Sequence, residues 1–305
     1  MESSRTNVRE RSYRAGDDWA PLSVDVAAAS HRGYVRETNE DHYLTVRFGR
    51  SLHTMGTNLG EGLLQRNFEF TGYGMFVADG MGGMAGGEVA SSMALARMVE
   101  LITDTPDWIL ALRNWHDATK LLERMAERFV DIDKTIRLQA TQDPSLEGMG
   151  TTLTVAGTLG SDLIIGHVGD SRAYLLSENS LSQVTTDHTL TQSLVDAGII
   201  KPEDAVFNSM RHVLTAALGS LGDSDPQLYR LHVRTGDRLL LCTDGLTDMV
   251  ANENIALLLR ETVSAHRACH DLIDAALLSG GTDNVTVIVA DFGAPPSPNK
   301  ELSIV

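Results

Sequence analysis

Short acidic segments that place an aspartate beside glycine, asparagine or glutamate recur along this chain: Asn39-Glu40-Asp41, Asp79-Gly80, Gly169-Asp170-Ser171, Asp244-Gly245 and Asp283-Asn284. Four of them abut runs that read as β-strands. Phe76-Val77-Ala78 precedes Asp79, Ile164 to Val168 precedes Asp170, Leu239 to Cys242 precedes Asp244, and Asp283 stands just ahead of Val285 to Val289. Strand ends bring distant parts of a chain together. Carboxylates gathered there repel one another, and an interior without a counter-cation does not hold unpaired buried charge. A fold that collects them therefore points to a cluster of divalent metal ions. Taken singly, an aspartate before glycine or asparagine is a common turn former, so the argument rests on the set.

At 305 residues, 42% of them hydrophobic, the chain can bury a core as one large domain or two small ones. The formal net charge of −16 argues against nucleic acid or an anionic membrane as partner, since phosphate backbones need a local excess of Lys and Arg. Cys242 and Cys269 are the only cysteines and form no CxxC pair, which fits a reducing, cytoplasmic compartment. Met1 to Asp18 has no apolar signal-like core, and no segment approaches the roughly 18 apolar residues of a membrane span. The expectation is a soluble, unexported monomer.

Residues 1–20 mix Arg, Glu, Ser and Asp without periodicity, and residues 293–305 contain Ala-Pro-Pro-Ser-Pro, so both ends read as tails around one domain at 21–292. Leu22 to Ala27 and His42 to Phe48 alternate as half-buried strands, and Tyr73 to Ala78 is a more continuously apolar third. Helical patterns follow at Glu88 to Thr103 and Asp117 to Gln139; in the second, Leu122, Met125, Phe129, Ile132 and Ile136 recur at steps of three and four. Strands resume at Thr151 to Leu159, Leu163 to Val168, Arg172 to Leu176, Leu228 to Val233 and Arg238 to Cys242. Two helices, Asn252 to Arg260 and His266 to Leu278, precede a last strand at Val285 to Ala290. Hairpin successions interrupted by paired helices predict an α+β fold of two mainly antiparallel sheets flanked by helices, a four-layer α-β-β-α sandwich.

The segments Arg36-Glu-Thr-Asn-Glu40-Asp41, Asp79-Gly-Met-Gly-Gly83, Gly150-Thr-Thr-Leu-Thr154, Val168-Gly-Asp-Ser-Arg172, Thr243-Asp-Gly-Leu-Thr-Asp248 and Gly281-Thr-Asp-Asn-Val285, in this order, resemble the metal-dependent protein phosphatases of the 2C type. The resemblance covers roughly Ser23 to Asp291. It implies hydrolysis of phosphoserine and phosphothreonine in proteins by in-line attack of a metal-activated water, opposing a serine/threonine kinase in signalling, with phosphorylated proteins as partners. By position it implies that Asp79 bridges two metals, with Glu40 and the Gly80 carbonyl on one and Asp244 and Asp283 on the other. Asp41 corresponds to an outer group holding water, Asp170 with Asp244 to a third and looser metal, and Arg36 to a phosphate clamp.

The residue types suit that chemistry. Mg²⁺ and Mn²⁺ take oxygen ligands and keep waters, whereas a histidine-poor set disfavours zinc. A phosphoryl transition state spreads charge over its equatorial oxygens, and a guanidinium fork takes two of them. Alternatives stay open residue by residue: Asp41 equally fits a plain hydrogen-bond acceptor, and Arg36 beside Glu37 fits a surface ion pair. Arg172 and Asp248 read as structural. Gly82, Gly83, Gly86 and Gly87 lack the Lys of a nucleotide loop and read as a close backbone approach. His266 and His270 read as solvated. His167 reads as packing behind the Asp170 loop, and His188 as the start of a helix capped by Asp187 or Thr189.

One position departs from the eukaryotic pattern. Where those relatives resemble Asp-Gly-His-Gly, with the histidine protonating the leaving group, this chain has Met81, as bacterial members often do. The rival reading is a catalytically weak phosphoprotein-binding module of the same fold, whose mark is a missing metal ligand. Two segments bear on substrate choice: Arg50 to Gly72, an insertion read as ordinary loop, and Thr185 to Leu221, the counterpart of the family's flap.

Overall fold

The structure is a computed structural model and describes residues 8–10, 22–56, 58–60, 67–83, 86–104, 118–205, 208–219 and 225–294. Four strands open the chain: β1 (Val8–Glu10), β2 (Ser23–His31), β3 (Asp41–His53) and β4 (Asn67–Met81). Two long helices follow, α1 (Gly86–Asp104) and α2 (Ala118–Gln142). Then come β5 (Gly150–Thr151), β6 (Leu153–Leu159), β7 (Asp162–Val168), β8 (Arg172–Ser177) and β9 (Ser180–Gln183). Short helices α3 (Leu190–Asp196) and α4 (Pro202–Ala205) precede β10 (Gln227–His232) and β11 (Arg238–Cys242). The chain closes with α5 (Asp244–Thr247), α6 (Asn252–Glu261), α7 (Ala265–Leu278) and β12 (Val285–Gly293).

The strands form two sheets, in the orders β1-β10-β7-β6-β4-β3, with β5 on β4, and β2-β12-β11-β8-β9. Every pairing is antiparallel except β1 on β10. The period of two decides what each strand buries. On β4, Met75 and Val77 enter the layer between the sheets, while Phe76 and Ala78 meet α1 and α2. On β11, Leu239 and Leu241 face the other sheet, and Leu240 and Cys242 face α6 and α7. Strands buried on both faces read as continuous apolar runs although they are antiparallel. The α2 stripe of Leu122, Met125, Phe129, Ile132 and Ile136 is buried as its spacing predicts.

The sandwich thus has the four layers expected, with two differences in detail. The segment Arg50 to Gly72 is less a loop than expected: β3 runs to His53 and β4 begins at Asn67, paired residue for residue, so the insertion lengthens a hairpin. Within the expected N-terminal tail, Val8–Glu10 pairs in parallel with Leu228–Arg230 as an edge strand; the rest of residues 1–20 lies outside the described residues. Both cysteines are free and buried, and burial pushes each thiol up to about 12, so neither is a nucleophile.

Candidate metal centre

One end of the sandwich collects the acidic segments because the two sheets terminate there together. Asp41 opens β3 and Asp79 nears the end of β4, and the two are register partners. Asp244 begins α5 directly after β11, and Asp283 lies two residues before β12. Asp170 sits in the turn between β7 and β8.

Backbone and hydroxyl contacts fix these groups. The Asp79 N–H donates to Thr152 Oγ1 (3.0 Å), while its carbonyl accepts from the Thr152 N–H (2.9 Å) and from Thr151 Oγ1 (2.9 Å). Thr152 Oγ1 also meets Ser171 Oγ at 2.8 Å, which ties the Asp79 strand to the Asp170 turn. Thr243 Oγ1 donates to Asp41 Oδ2 (2.9 Å) and accepts from the Thr286 N–H (3.0 Å), joining β3, β11 and β12. The Glu40 N–H donates to Asn284 Oδ1 (2.8 Å), and its carbonyl accepts from Ser91 Oγ (2.6 Å) and the Gly80 N–H (3.2 Å).

Gly80 and Gly87 are there because nothing larger fits. A Cβ on Gly80 would strike the Gly87 carbonyl, and one on Gly87 would stand 2.7 Å from Glu40 Oε2. The close approach read for this glycine-rich segment holds at Gly87, against Glu40 and Gly80, and at Gly82 and Gly86, against Met149, but not at Gly83, where a Cβ would meet open space.

The electrostatics of the cluster are those of crowded carboxylates that outnumber the cations beside them, Arg36 on Asp283 and Arg172 near Asp170. Burial first, then repulsion from Asp41, Asp244, Asp170 and Asp283, drives Asp79 well above the usual carboxylate range. Burial likewise pushes Asp41 up to about 7, and burial with repulsion from Asp248 and Asp283 pushes Asp244 up to about 6. Asp170 is raised well above its ordinary value by burial and by Asp244, and Glu40 is raised by burial. Asp41 Oδ1 is buried without a hydrogen-bond partner. An orphaned carboxylate oxygen among acids that hold protons against their nature, with an all-oxygen donor set, fits Mg²⁺ or Mn²⁺.

Arg36 approaches this cluster from the β2–β3 loop. Its Nη2 donates to Asp283 Oδ2 at 2.6 Å, so its ion-pair partner is an acid of the cluster and not Glu37. Asp283 also accepts from the Asn284 N–H at 2.8 Å.

Sequence reasoning missed several participants. Thr152, Thr243 and Asn284 all stand inside the segments that drew attention, but their hydroxyl and amide roles depend on pairings across the sheets. His212 carried no signal at all. It reaches the site from the 208–219 segment, with donor atoms of His212, Asp244 and Asp248 within 4.8 Å of one another and His212 Nδ1 at 3.3 Å from Asp248 Oδ2.

The four histidines read from the sequence, His167, His188, His266 and His270, fall close to expectation. His167 Nδ1 meets Thr154 Oγ1 (2.9 Å) behind the Asp170 turn and its ring stacks on His188 at 5.2 Å. Thr189, not Asp187, caps α3, by accepting the Gln192 N–H at 3.2 Å; Asp187 instead pairs with Arg172 (2.7 Å). His266 and His270 are exposed neighbours on α7.

Comparison with known proteins gives one answer. The pattern of the protein phosphatase 2C family matches residues 69–278. The serine/threonine protein phosphatase PstP of Mycobacterium tuberculosis is 39% identical over 270 residues, 88% of this chain and 45% of that protein, so the chain spans under half the length of this relative. The serine/threonine phosphatase stp of Listeria welshimeri is 37% identical over 223 residues, 71% of this chain and 83% of that protein. The crystal structure of the M. tuberculosis phosphatase PstP/Ppp superposes with a TM-score of 0.71 at 36% identity, covering 89% of this chain and 99% of that one. The catalytic domain of PstP with 2 manganese ions superposes at 0.69, with 36% identity over 89% of this chain and 99% of that one. Two mainly antiparallel sheets between helix pairs, the acidic segments in order at one end of them, and these likenesses lead to one conclusion: the chain belongs to the protein phosphatase 2C family.

Proposed function

We propose that this chain is a metal-dependent serine/threonine protein phosphatase that hydrolyses phosphoserine and phosphothreonine in proteins. The observation that carries the reading is the crowding of carboxylates around Asp79, with Asp41 and Asp170 buried, Asp79 and Asp244 half-buried, and Asp41 Oδ1 left without a partner. Glu40, Asp79, Gly80, Asp244 and Asp283 would hold two divalent ions, and Asp170 with Asp244 a third and weaker one. Manganese or magnesium suits the oxygen donors, and the manganese complex of the PstP catalytic domain supports the first. Ions held there supply Lewis acidity to the phosphoryl oxygens and make a neighbouring water acidic enough to attack.

The chain's own groups do the rest. The Arg36 guanidinium sits at the rim on Asp283, its side chain 55% exposed and able to swing onto phosphate oxygens. Asp41, fixed through Oδ2 by Thr243, offers Oδ1 as an acceptor that orients water. Asp79 cannot drift, because Thr151 and Thr152 hold its backbone on both sides. Met81 supplies no proton, so the leaving alkoxide takes one from solvent in the cleft.

A binding module without catalysis would be marked by a lost ligand, and none is lost here. No helix among the described residues is long and apolar enough to cross a membrane. We assign the protein to the cytoplasm, as a monomer acting on phosphorylated proteins against a serine/threonine kinase. The test is hydrolysis of p-nitrophenyl phosphate and of phosphopeptides across a manganese and magnesium titration. Activity should vanish with excess chelator; full turnover in metal-stripped protein refutes the reading.

A further inference from the structure

We propose that Tyr34 and Val35 form the docking site for apolar residues flanking the phosphorylated residue of a substrate, so that the enzyme selects phosphosites with apolar neighbours. This deepens the phosphatase reading above and rests on it.

The two side chains precede the proposed clamp Arg36 directly. Consecutive Cα atoms stand about 3.8 Å apart and an extended peptide advances about 3.3 Å per residue. Tyr34 packs on Gly281 in the turn whose Asp283 holds Arg36, so residues next to a phosphothreonine gripped by Arg36 fall within reach of this loop.

The loop that carries them is built to stay put. Asn284 Nδ2 donates to the carbonyls of Arg32 (2.8 Å) and Thr38 (2.9 Å), spanning the loop from end to end. The Tyr34 N–H donates to the Gly281 carbonyl (2.7 Å), and Arg32 Nη1 to the Glu37 carbonyl (2.9 Å). Gly33, at φ +79°, packs so tightly that a Cβ would collide with the Asp283 carbonyl. The backbone is thus tied to the turn that bears Asp283.

On this fixed loop Tyr34 and Val35 are each 67% exposed. The Tyr34 ring meets His31 edge to face, centroids 6.0 Å apart at 76°, and lies against Gly281, where a Cβ would stand 3.1 Å from its Cδ2. Single exposed apolar residues are ordinary, but two adjacent ones on a pinned loop, continuous with the phosphate clamp, are a preorganised contact. An aromatic ring with a polar tip and a stiff β-branched chain lose little entropy on binding.

The test compares two phosphothreonine peptides that differ only in having Leu or Gln on both sides of the phosphoresidue, using the full chain with manganese. Wild type should favour the Leu peptide about tenfold in kcat/KM, through KM, as burial of apolar side chains predicts. Tyr34→Gln with Val35→Thr should abolish that preference while leaving p-nitrophenyl phosphate hydrolysis unchanged. Equal use of both peptides by wild type, or a preference that survives in the variant, overturns the proposal. So does a change in oligomeric state on substitution with no change in peptide preference, which would make the patch a contact between copies. Should the double variant lose p-nitrophenyl phosphate activity, Val35→Thr alone, nearly isosteric, decides on the same comparison. Failure of wild type to hydrolyse any phosphorylated probe would sink the phosphatase reading itself, and the docking site with it.

Discussion

Asp41 and Asp79 stand directly opposite one another on β3 and β4, two carboxylates in a single cross-strand pair. Like charges placed so are destabilising, which a cation held between them, as proposed above, would offset. The pair also sets the pH behaviour of the metal-free protein.

Both acids hold protons more tightly folded than unfolded, with Asp41 pushed up to about 7 and Asp244 beside them to about 6. The native state therefore binds more protons than the unfolded one between roughly pH 4 and pH 7, and its stability falls as pH rises through that window. With chelator present, the loss should be on the order of a few kcal/mol between pH 5 and pH 8. Manganese should reverse the trend, since binding needs the deprotonated carboxylates. Calorimetric Tm at the two pH values checks this, and a metal-free Tm that rises with pH contradicts it.

Gly87→Ala separates helix stability from metal binding. Alanine is favoured over glycine in a helix interior by about 1 kcal/mol, but here its Cβ would stand 2.7 Å from Glu40 Oε2 and 2.8 Å from the Gly80 carbonyl carbon, crowding two proposed ligands at once. We expect a folded protein whose manganese affinity, by titration calorimetry, is weaker by about tenfold, as loss of one good ligand contact implies. Unchanged affinity would remove Glu40 and the Gly80 carbonyl together from the ligand set.

Arg36→Ala should raise KM for phosphopeptides while manganese stoichiometry stays the same, because the guanidinium touches Asp283 from outside the carboxylate cluster. Arg36→Lys should recover only part of the loss, since an ammonium cannot present the planar fork. Unaltered kinetics in Arg36→Ala would leave Arg36 a plain ion pair.

What could be read before the fold was known was the part governed by local pattern. The strand-end aspartates announced themselves through the apolar runs of β4, β7, β11 and β12, and the α2 stripe through its spacing. What could not be read depended on contacts between remote segments. Thr243 matters because β11 ends beside Asp41, 202 positions away in sequence. His212 reaches Asp244 and Asp248 only because the 208–219 segment is pinned back by Leu218 pairing with Thr151 and by Val213 and Thr215 bonding Leu190 and His188. The lengthened β3–β4 hairpin escaped notice because Gly56, Gly60 and Gly62 between the strands read as loop, and backbone pairing beyond a turn leaves little imprint on composition.

Met81 governs the last prediction. It ends β4, two residues past Asp79, with its Cε 3.0 Å from where a Cβ on Gly150 would stand. No imidazole belongs to this position, and we predict that the proton for the departing alkoxide comes from water. The rate should then rise with pH along a single limb, without the inflection near pH 6.5 that a histidine acid would add. Met81→His supplies a donor at the strand end. A general acid assists a leaving group in proportion to that group's need for a proton, so the substitution should accelerate phosphoserine peptides relative to p-nitrophenyl phosphate, whose phenolate leaves readily unprotonated. The gain should carry a new falling limb at high pH as the added imidazole loses its proton. Equal effects on both substrates would show that position 81 does not reach the leaving oxygen. A wild-type profile that already bends near pH 6.5 and straightens in His212→Gln would place the acid on the 208–219 segment instead.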